Sequence, residues 1–281
     1  KDDVAMGSSG ACDKAVLLQS KNPGIHLELA LKSVKMFPEL QKDLDTDIEF
    51  LNHGGMIVIQ NEKQWQIMEQ FVERQKKSGL DVRLLEKDEA RALQPALSED
   101  IVGSTFSPMD SEVNPIYLTL GLYRAAKKHG AKFSLGTKAK AIKLEKGRVK
   151  SVQTDSGEIL CKYVVNATGA YAKFIGEMVG LKIPIVPRRG QLIVTEPVPP
   201  LIHGEMNCAR YITAKFNPEL LGTDEMAKLG VGLSLDQTVN GNLLIGGTRE
   251  FVGFNKNTTH RALKAVLKHA ASIVPAIRDI H

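Results

Sequence analysis

Between Ala139 and Ala170 the sequence restricts the chain to a narrow set of folds. Three short strand candidates, Ala139–Leu144, which alternates in character, Arg148–Thr154 and Ile159–Lys162, are separated by Glu145-Lys146-Gly147 and by Asp155-Ser156-Gly157-Glu158. Glycine in reversals this tight marks neighbouring antiparallel strands, so the segment is expected to be a small meander. It runs into Tyr163-Val164-Val165-Asn166, an apolar strand candidate, and then into Ala167-Thr168-Gly169-Ala170, with a helix expected from about Tyr171. A strand that ends in small residues and opens a helix lets a ligand approach backbone amides, and helix N-termini attract phosphate oxygens. The same residues would also make a purely structural turn, and both readings stand.

The rest of the chain divides at its caps and prolines. Gly7-Ser8-Ser9-Gly10 reads as a flexible turn. Leu27, Leu31 and Val34 recur at helical spacing until Pro38, which is expected to stop the run. A strand pair is expected around Ile48–Leu51 and Met56–Gln60, with Gly54-Gly55 between. Asn61, with Gln64 three residues on, has the pattern of a capping box; Trp65, Met68, Phe71 and Val72 give that helix one apolar face, and Gly79 ends it. Asn114-Pro115 starts a third helix that closes on Lys127-Lys128-His129-Gly130, where His129 complements the helix dipole rather than binding a ligand. A short strand is expected at Lys132–Leu135. Beyond Leu181 the sequence turns strand-rich, with runs at Gln191–Thr195, Ala209–Thr213, Val231–Ser234 and Asn242–Ile245. A connecting segment at Asn217–Leu229 has room for a helix of its own, and an amphipathic helix is expected at His260–Ile273.

Composition excludes more than it selects. Hydrophobic residues make up 43% of the 281 and charged residues 25%, as in ordinary globular proteins. No apolar run approaches the roughly 18 residues of a membrane span. The net charge of +5 is spread along helix faces with acids interleaved, a solvated surface rather than a nucleic-acid patch. Three scattered cysteines, Cys12, Cys161 and Cys208, form no CxxC pair, so neither a disulfide framework nor a metal site is expected, and a reducing cytoplasm is the simplest compartment. The start at Lys1 has no signal-peptide pattern and no initiator Met, so the natural N-terminus is expected upstream. There is no GxGxxG, Walker, HExxH or GxSxG motif. Local motifs alone leave the chain as a mixed α and β protein of open function.

Several segments, in order, resemble the D-amino-acid-oxidase-like superfamily, which includes glycine oxidase and sarcosine oxidase β subunits. Gly7-Ser8-Ser9-Gly10-Ala11-Cys12 is similar to the stretch that runs along the flavin in that family. Met109-Asp110-Ser111-Glu112-Val113-Asn114-Pro115 is similar to the entry into a helix. Val164-Val165-Asn166-Ala167-Thr168-Gly169-Ala170-Tyr171 resembles the second nucleotide-binding strand and turn. Ile183–Gln191 resembles the return into the substrate sheet, and Asn242–Thr248 the strand near the reactive edge of the flavin.

The resemblance implies an α/β plus α+β fold, in which a partial, Rossmann-like FAD-binding domain (residues 1–40 and 116–180) intertwines with an antiparallel-sheet substrate domain (41–115 and 181–265). Residues 266–281 would begin the return to the first domain. It implies FAD as cofactor, touched by Ser8, Ser9, Gly10, Ala139, Ala167, Thr168, Gly169 and Gly246. It implies oxidation of an amine or amino acid. Because guanidinium binds carboxylate through two parallel bonds, Arg210 with Tyr211, then Arg249, then Arg188 and Arg189 are the candidate substrate-binding residues. The family's opening GxGxxG unit and closing glycine-rich stretch are not in this sequence. The chain is therefore expected to be a fragment that holds FAD weakly alone, and to leave Val164–Asn166 without a parallel neighbour and prone to association. Two alternatives remain: a flavoenzyme of the same fold acting on a 2-hydroxy acid or glycerol phosphate, and a non-catalytic binding module. A homo-oligomer or a dehydrogenase partner subunit is compatible with any of them.

Overall fold

The structure is a computed structural model that describes residues 2–216, 219, 222, 223 and 225–280, with the side chains of 215 and 216 outside the description. Residues 8–10 form a single 3-10 turn, followed by strand β1 (Ala15–Val16) and helix α1 (Ile25–Val34). Pro38 does not simply stop the chain's helical run. It sits in the first turn of a second helix, α2 (Phe37–Asp43), where its missing N–H costs nothing. The expected strand at Ile48–Leu51 shrinks to one bridge, Leu51 to Glu112, because Asp45 and Glu49 take positive φ and break the extended run. Strand β2 (Gly55–Ile59) then enters the core fully buried.

Helix α3 (Glu62–Lys77) starts as its sequence requires. The Asn61 side chain accepts the Gln64 amide at 3.1 Å, and the Gln64 side chain accepts the Gln60 amide at 2.9 Å, one residue earlier than a standard capping box. β3 (Arg83–Glu86), α4 (Lys87–Leu93), β4 (Gly103–Ser107) and β5 (Ser111–Glu112) follow. In α5 (Pro115–Lys128) the Asn114 side chain caps two amides, those of Ile116 and Tyr117.

The meander is present as β6 (Ala139–Glu145), β7 (Arg148–Thr154) and β8 (Gly157–Leu160), an isolated three-stranded antiparallel sheet. Lys132–Leu135 is not a strand, and neither is Val164–Asn166. The second departure has a clear cause. Strand character is completed by a neighbour, and no strand among the described residues lies beside this segment; Tyr163 and Val165 are each 88% exposed. A 3-10 turn at Gly169–Tyr171 leads into α6 (Ala172–Glu177), so the expected helix does follow.

The remaining elements build the large sheet: β9 (Ile193–Pro197), β10 (Glu205–Cys208), α7 (Ala209–Phe216), α8 (Glu225–Lys228), β11 (Ser234–Gln237), β12 (Asn242–Gly246) and α9 (His260–Ile273). Residues 217, 218, 220, 221 and 224 of the connection before α8 lie outside the described residues. Ala209–Thr213, expected as a strand, is helix α7. Its Ala209 and Ile212 fall on one helical face and pack with Ile57, Ile59, Met68 and Phe71, whereas the strand lies just before it at Glu205–Cys208. The strand expected at Val231–Ser234 lies a few residues later, at Ser234–Gln237.

The seven strands run in the order β3-β4-β2-β10-β11-β12-β9, all antiparallel except β2 with β10. Alternation splits this sheet into two faces. Met206, Cys208, Val231, Leu233, Leu235, Leu243 and Ile245 enter the core capped by α9, through Ala262, Val266, Ala270 and Ile273. The opposite face carries Glu205, Asn207, Gly232, Ser234 and Asp236. No helix of the described residues is long and apolar enough to cross a membrane, and the three cysteines are free.

Candidate active site

The polar face of β10 and β11 faces the segment Asp13-Lys14. Ser234 Oγ donates to Asp13 Oδ2 at 2.8 Å and lies 3.3 Å from Glu205 Oε1, which also accepts from Asn207 Nδ2 at 2.9 Å. Lys14 Nζ makes a buried ion pair with Glu112 at 2.7 Å and reaches the Gln237 carbonyl at 3.3 Å. Among the described residues, Glu205 Oε2 and both oxygens of Asp236 are buried with no side-chain hydrogen-bond partner. One ammonium thus serves a crowded set of acids. Burial, and then the Asp236 charge, raise the Glu205 carboxyl well above its ordinary value; burial, and then the Glu112 charge, lift Asp236 to about 7 against the pull of Lys14.

A second buried carboxylate shapes the loop before the site. Asp110 accepts the Leu18 amide at 2.7 Å and the Gln19 side-chain amide at 2.7 Å, while Gln19 also holds the Gly55 carbonyl and receives the Thr105 hydroxyl. Burial raises Asp110 to about 6 against these bonds.

These shifts give a pH dependence of definite sign. All three acids bind protons at higher pH folded than unfolded, so stability is highest while they are protonated and falls as pH climbs from about 4 through about 7. Asp110 alone carries about 3 kcal/mol at ~1.4 kcal/mol per pKa unit. Urea unfolding should show greater stability at pH 5 than at pH 8, and Asp236→Asn should flatten the difference. Stability that rises from pH 5 to pH 8 would contradict this electrostatic picture.

Next to the acids stands a cation. The Arg249 guanidinium lies 4.1 Å from the centre of the Tyr211 ring. Its Nη1 sits where a side chain on Gly232 would be, 2.7 Å from the position of an added Cβ. Burial pulls its pKa below the ordinary value, and among the described residues no carboxylate lies in ion-pair range of it. Of the substrate-binding candidates, Tyr211 and Arg249 are thus brought together, from helix α7 and from the residues just after β12. Arg210 turns to the Val231 carbonyl, 3.2 Å from its Nε. Arg189 grips Glu250 through two nitrogens, at 2.8 and 3.2 Å, and also bonds the Asn257 carbonyl; that engagement holds Glu250 below the usual carboxylate range. Arg189 is a structural clamp.

The cofactor candidates fall into separate places. Ser8–Gly10 form an exposed turn packed against α5. Ala139 opens β6, opposite Thr154. Ala167, Thr168 and Gly169 lie on an exposed turn organised by Asn166, whose side chain receives the Thr168 hydroxyl at 2.7 Å and donates to the Ala172 carbonyl at 2.9 Å. Gly169 has φ +56° and nothing within 4 Å of a would-be Cβ. Gly246 is different: it is buried in the sheet, and the Leu192 side chain lies 2.7 Å from an added Cβ.

The sequence reading missed Asp13, Glu205, Ser234 and Asp236. Their signal was period-two alternation, in Glu205-Met206-Asn207-Cys208 and Ser234-Leu235-Asp236, of polar with apolar residues. Also missed was the buried pair Cys208 and His269, 3.3 Å apart between β10 and α9; burial opposes ionisation of the thiol, but the imidazole and the Leu233 and Tyr211 backbone amides together lower the Cys208 pKa.

Fold and site together give a buried polar face on β10 and β11 beside Arg249 and, separately, an exposed glycine turn at Gly169. The chain belongs to the FAD-dependent oxidoreductase (DAO) family, whose model matches residues 1–281. Among curated proteins it is 28% identical over 265 residues to the hydrogen cyanide synthase subunit HcnC of Pseudomonas aeruginosa, covering 92% of this chain and 58% of that one. It is 30% identical over 198 residues to the bifunctional protein ThiO/ThiG of a Nostoc species, covering 69% of this chain and 26% of the relative. The chain spans about three fifths of the length of the HcnC relatives it matches. Among solved structures, L-proline dehydrogenase from P. horikoshii superposes with a TM-score of 0.85 at 24% identity, covering 98% of this chain and 69% of that one. Glycine oxidase from Geobacillus kaustophilus gives 0.84 at 24%, covering 98% and 70%.

Proposed function

We propose that the full-length protein oxidises an amino acid or a related amine with FAD. The observation that carries the substrate half is Arg249: a partly desolvated guanidinium, stacked on Tyr211 and lacking a protein carboxylate among the described residues. Such a group recognises a substrate carboxylate through two parallel bonds. The names of the relatives, glycine oxidase and L-proline dehydrogenase among them, support an amino acid.

The residues present fit the cofactor. At Gly169 a left-handed backbone and open space leave room for a ligand to lie against the amides of Thr168, Gly169 and Ala170. Ser8, Ser9, Gly10, Ala139 and Ala167 would complete this chain's contacts. FAD, when bound, supplies the acceptor for a hydride from the carbon beside the substrate nitrogen. The protein's own work is orientation: Arg249 fixes the carboxylate, the Tyr211 ring holds the guanidinium, and the β11 face beneath it sets the depth of the substrate. Residues 1–40 and 116–180 would form the cofactor side, 41–115 and 181–265 the substrate side, and 266–281 the return. A cytoplasmic setting suits three free cysteines. A partner subunit is also compatible, since HcnC is itself named as a subunit.

Steady-state assay of the flavin-loaded full-length protein with primary and secondary α-amino acids, using a dye and oxygen as alternative acceptors, tests this. The reading expects turnover of at least one amino acid, with the acceptor reduced and the imine, or the carbonyl compound formed by its hydrolysis, as product. Arg249 would also accept the phosphate of glycerol phosphate, and a glycerophosphate oxidase shares the fold with a TM-score of 0.80; turnover of that substrate or of 2-hydroxy acids alone would favour the second reading. Bound flavin with no turnover would indicate a binding module.

A further inference from the structure

We propose that Asp13 receives the substrate nitrogen, making Arg249 and Asp13 the two ends of a receptor for an α-amino acid. The inference deepens the amino-acid reading and rests on it. Val231, Leu233 and Leu235 all enter the α9 core, so Gly232, Ser234 and Asp236 share the opposite face of that chain segment. Arg249 Nη1 lies over Gly232, and the Asp13 carboxylate is held over Ser234 by a 2.8 Å hydrogen bond. Two residues along a strand advance about 6.6 Å. The guanidinium and the carboxylate therefore stand over successive residues of one face, a placement that suits a molecule whose anionic and cationic ends are two bonds apart.

Asp13 suits the role because its other neighbours do not consume it. It is only half-buried, and its charge already bears on Arg249. Lys14, the adjacent cation, is committed to Glu112. Glu205, sharing the Ser234 hydroxyl, is held toward its neutral form by burial, whereas Asp13 is the partly exposed acid of this group and can be reached by a ligand. Gly232 keeps the interval open: any side chain there would collide with the guanidinium. The pair also selects. An alcohol in place of the amine forgoes the charge-assisted bond to Asp13, and a phosphate dianion extending toward Asp13 is repelled, so the site disfavours 2-hydroxy acids and glycerol phosphate.

The test uses the flavin-loaded full-length protein and two probes, propionate and a turned-over α-amino acid, titrated through the flavin absorbance under anaerobic conditions. Asp13→Asn should leave propionate affinity within about threefold and weaken the amino acid by about 10- to 100-fold, the range of a lost hydrogen bond to a charged group. Ser234→Ala, which frees Asp13 without removing its charge, should produce a smaller loss in the same direction and decides the matter if Asp13→Asn fails to hold flavin. Equal weakening of both probes, or of neither, overturns the inference while leaving the amino-acid reading intact. If the unsubstituted protein oxidises no α-amino acid, the reading itself falls, and this inference with it.

Discussion

Replacing Arg249 by alanine in the flavin-loaded protein should lower kcat/KM for an amino-acid substrate on the order of 10²–10³-fold, expressed mainly in KM. Truncating one member of a desolvated charge pair costs about 2–5 kcal/mol, because the remaining charge is left without a partner. Here that remaining charge is the substrate carboxylate, bound similarly before and during reaction, so the loss is one of uniform binding. Arg249→Lys should recover little. An ammonium cannot form the two parallel bonds, and it would also give up the planar stacking on Tyr211 at 4.1 Å. Flavin content should stay unchanged, since Arg249 lies on the sheet and not on the Gly169 turn. A variant with KM within threefold of the parent would remove Arg249 from the site.

The second large effect belongs to the turn. Gly169→Val should reduce bound flavin per chain by at least about tenfold. A β-branched residue at φ +56° is strained in itself, and its side chain would occupy the open space that a cofactor is expected to use. Strain and obstruction can be separated. Gly147, in the turn between β6 and β7, also has positive φ and open surroundings, so Gly147→Val incurs similar strain at the far end of the meander. It should retain flavin. Equal flavin loss in the two variants, or full occupancy in Gly169→Val, would sink the cofactor role of this turn.

Much of this architecture is legible in the residues, and the exceptions share a cause. Helix starts at Asn61 and Asn114 are readable because a cap acts over two or three residues. The meander is readable because its reversals carry their own glycines. Val164–Asn166 has strand composition but no strand beside it among the described residues, and pairing is a property of two segments that the sequence of one does not reveal. Ala209–Thr213 looks like a strand through Tyr211, Ile212 and Thr213, yet packing against Ile57 and Phe71 rewards helical spacing instead. At the site, Arg249 and Tyr211 stood out individually as candidates; their contact depends on the start of α7 lying beside the residues that follow β12. The acids of β10 and β11 were harder to see, because a carboxylate in a strand reads as solvent-facing until the sheet's second face is covered. Here Lys14 and Asp13 cover it, from more than two hundred residues away in sequence.

The most direct test of the central claim is a crystal structure of the full-length, flavin-loaded protein with a slowly oxidised α-amino acid bound under anaerobic conditions. The account predicts the ligand on the polar face of β11, its carboxylate bonded to the Arg249 guanidinium beside Tyr211 and its nitrogen toward Asp13. A ligand bound elsewhere, with Arg249 turned away from it, would contradict the account.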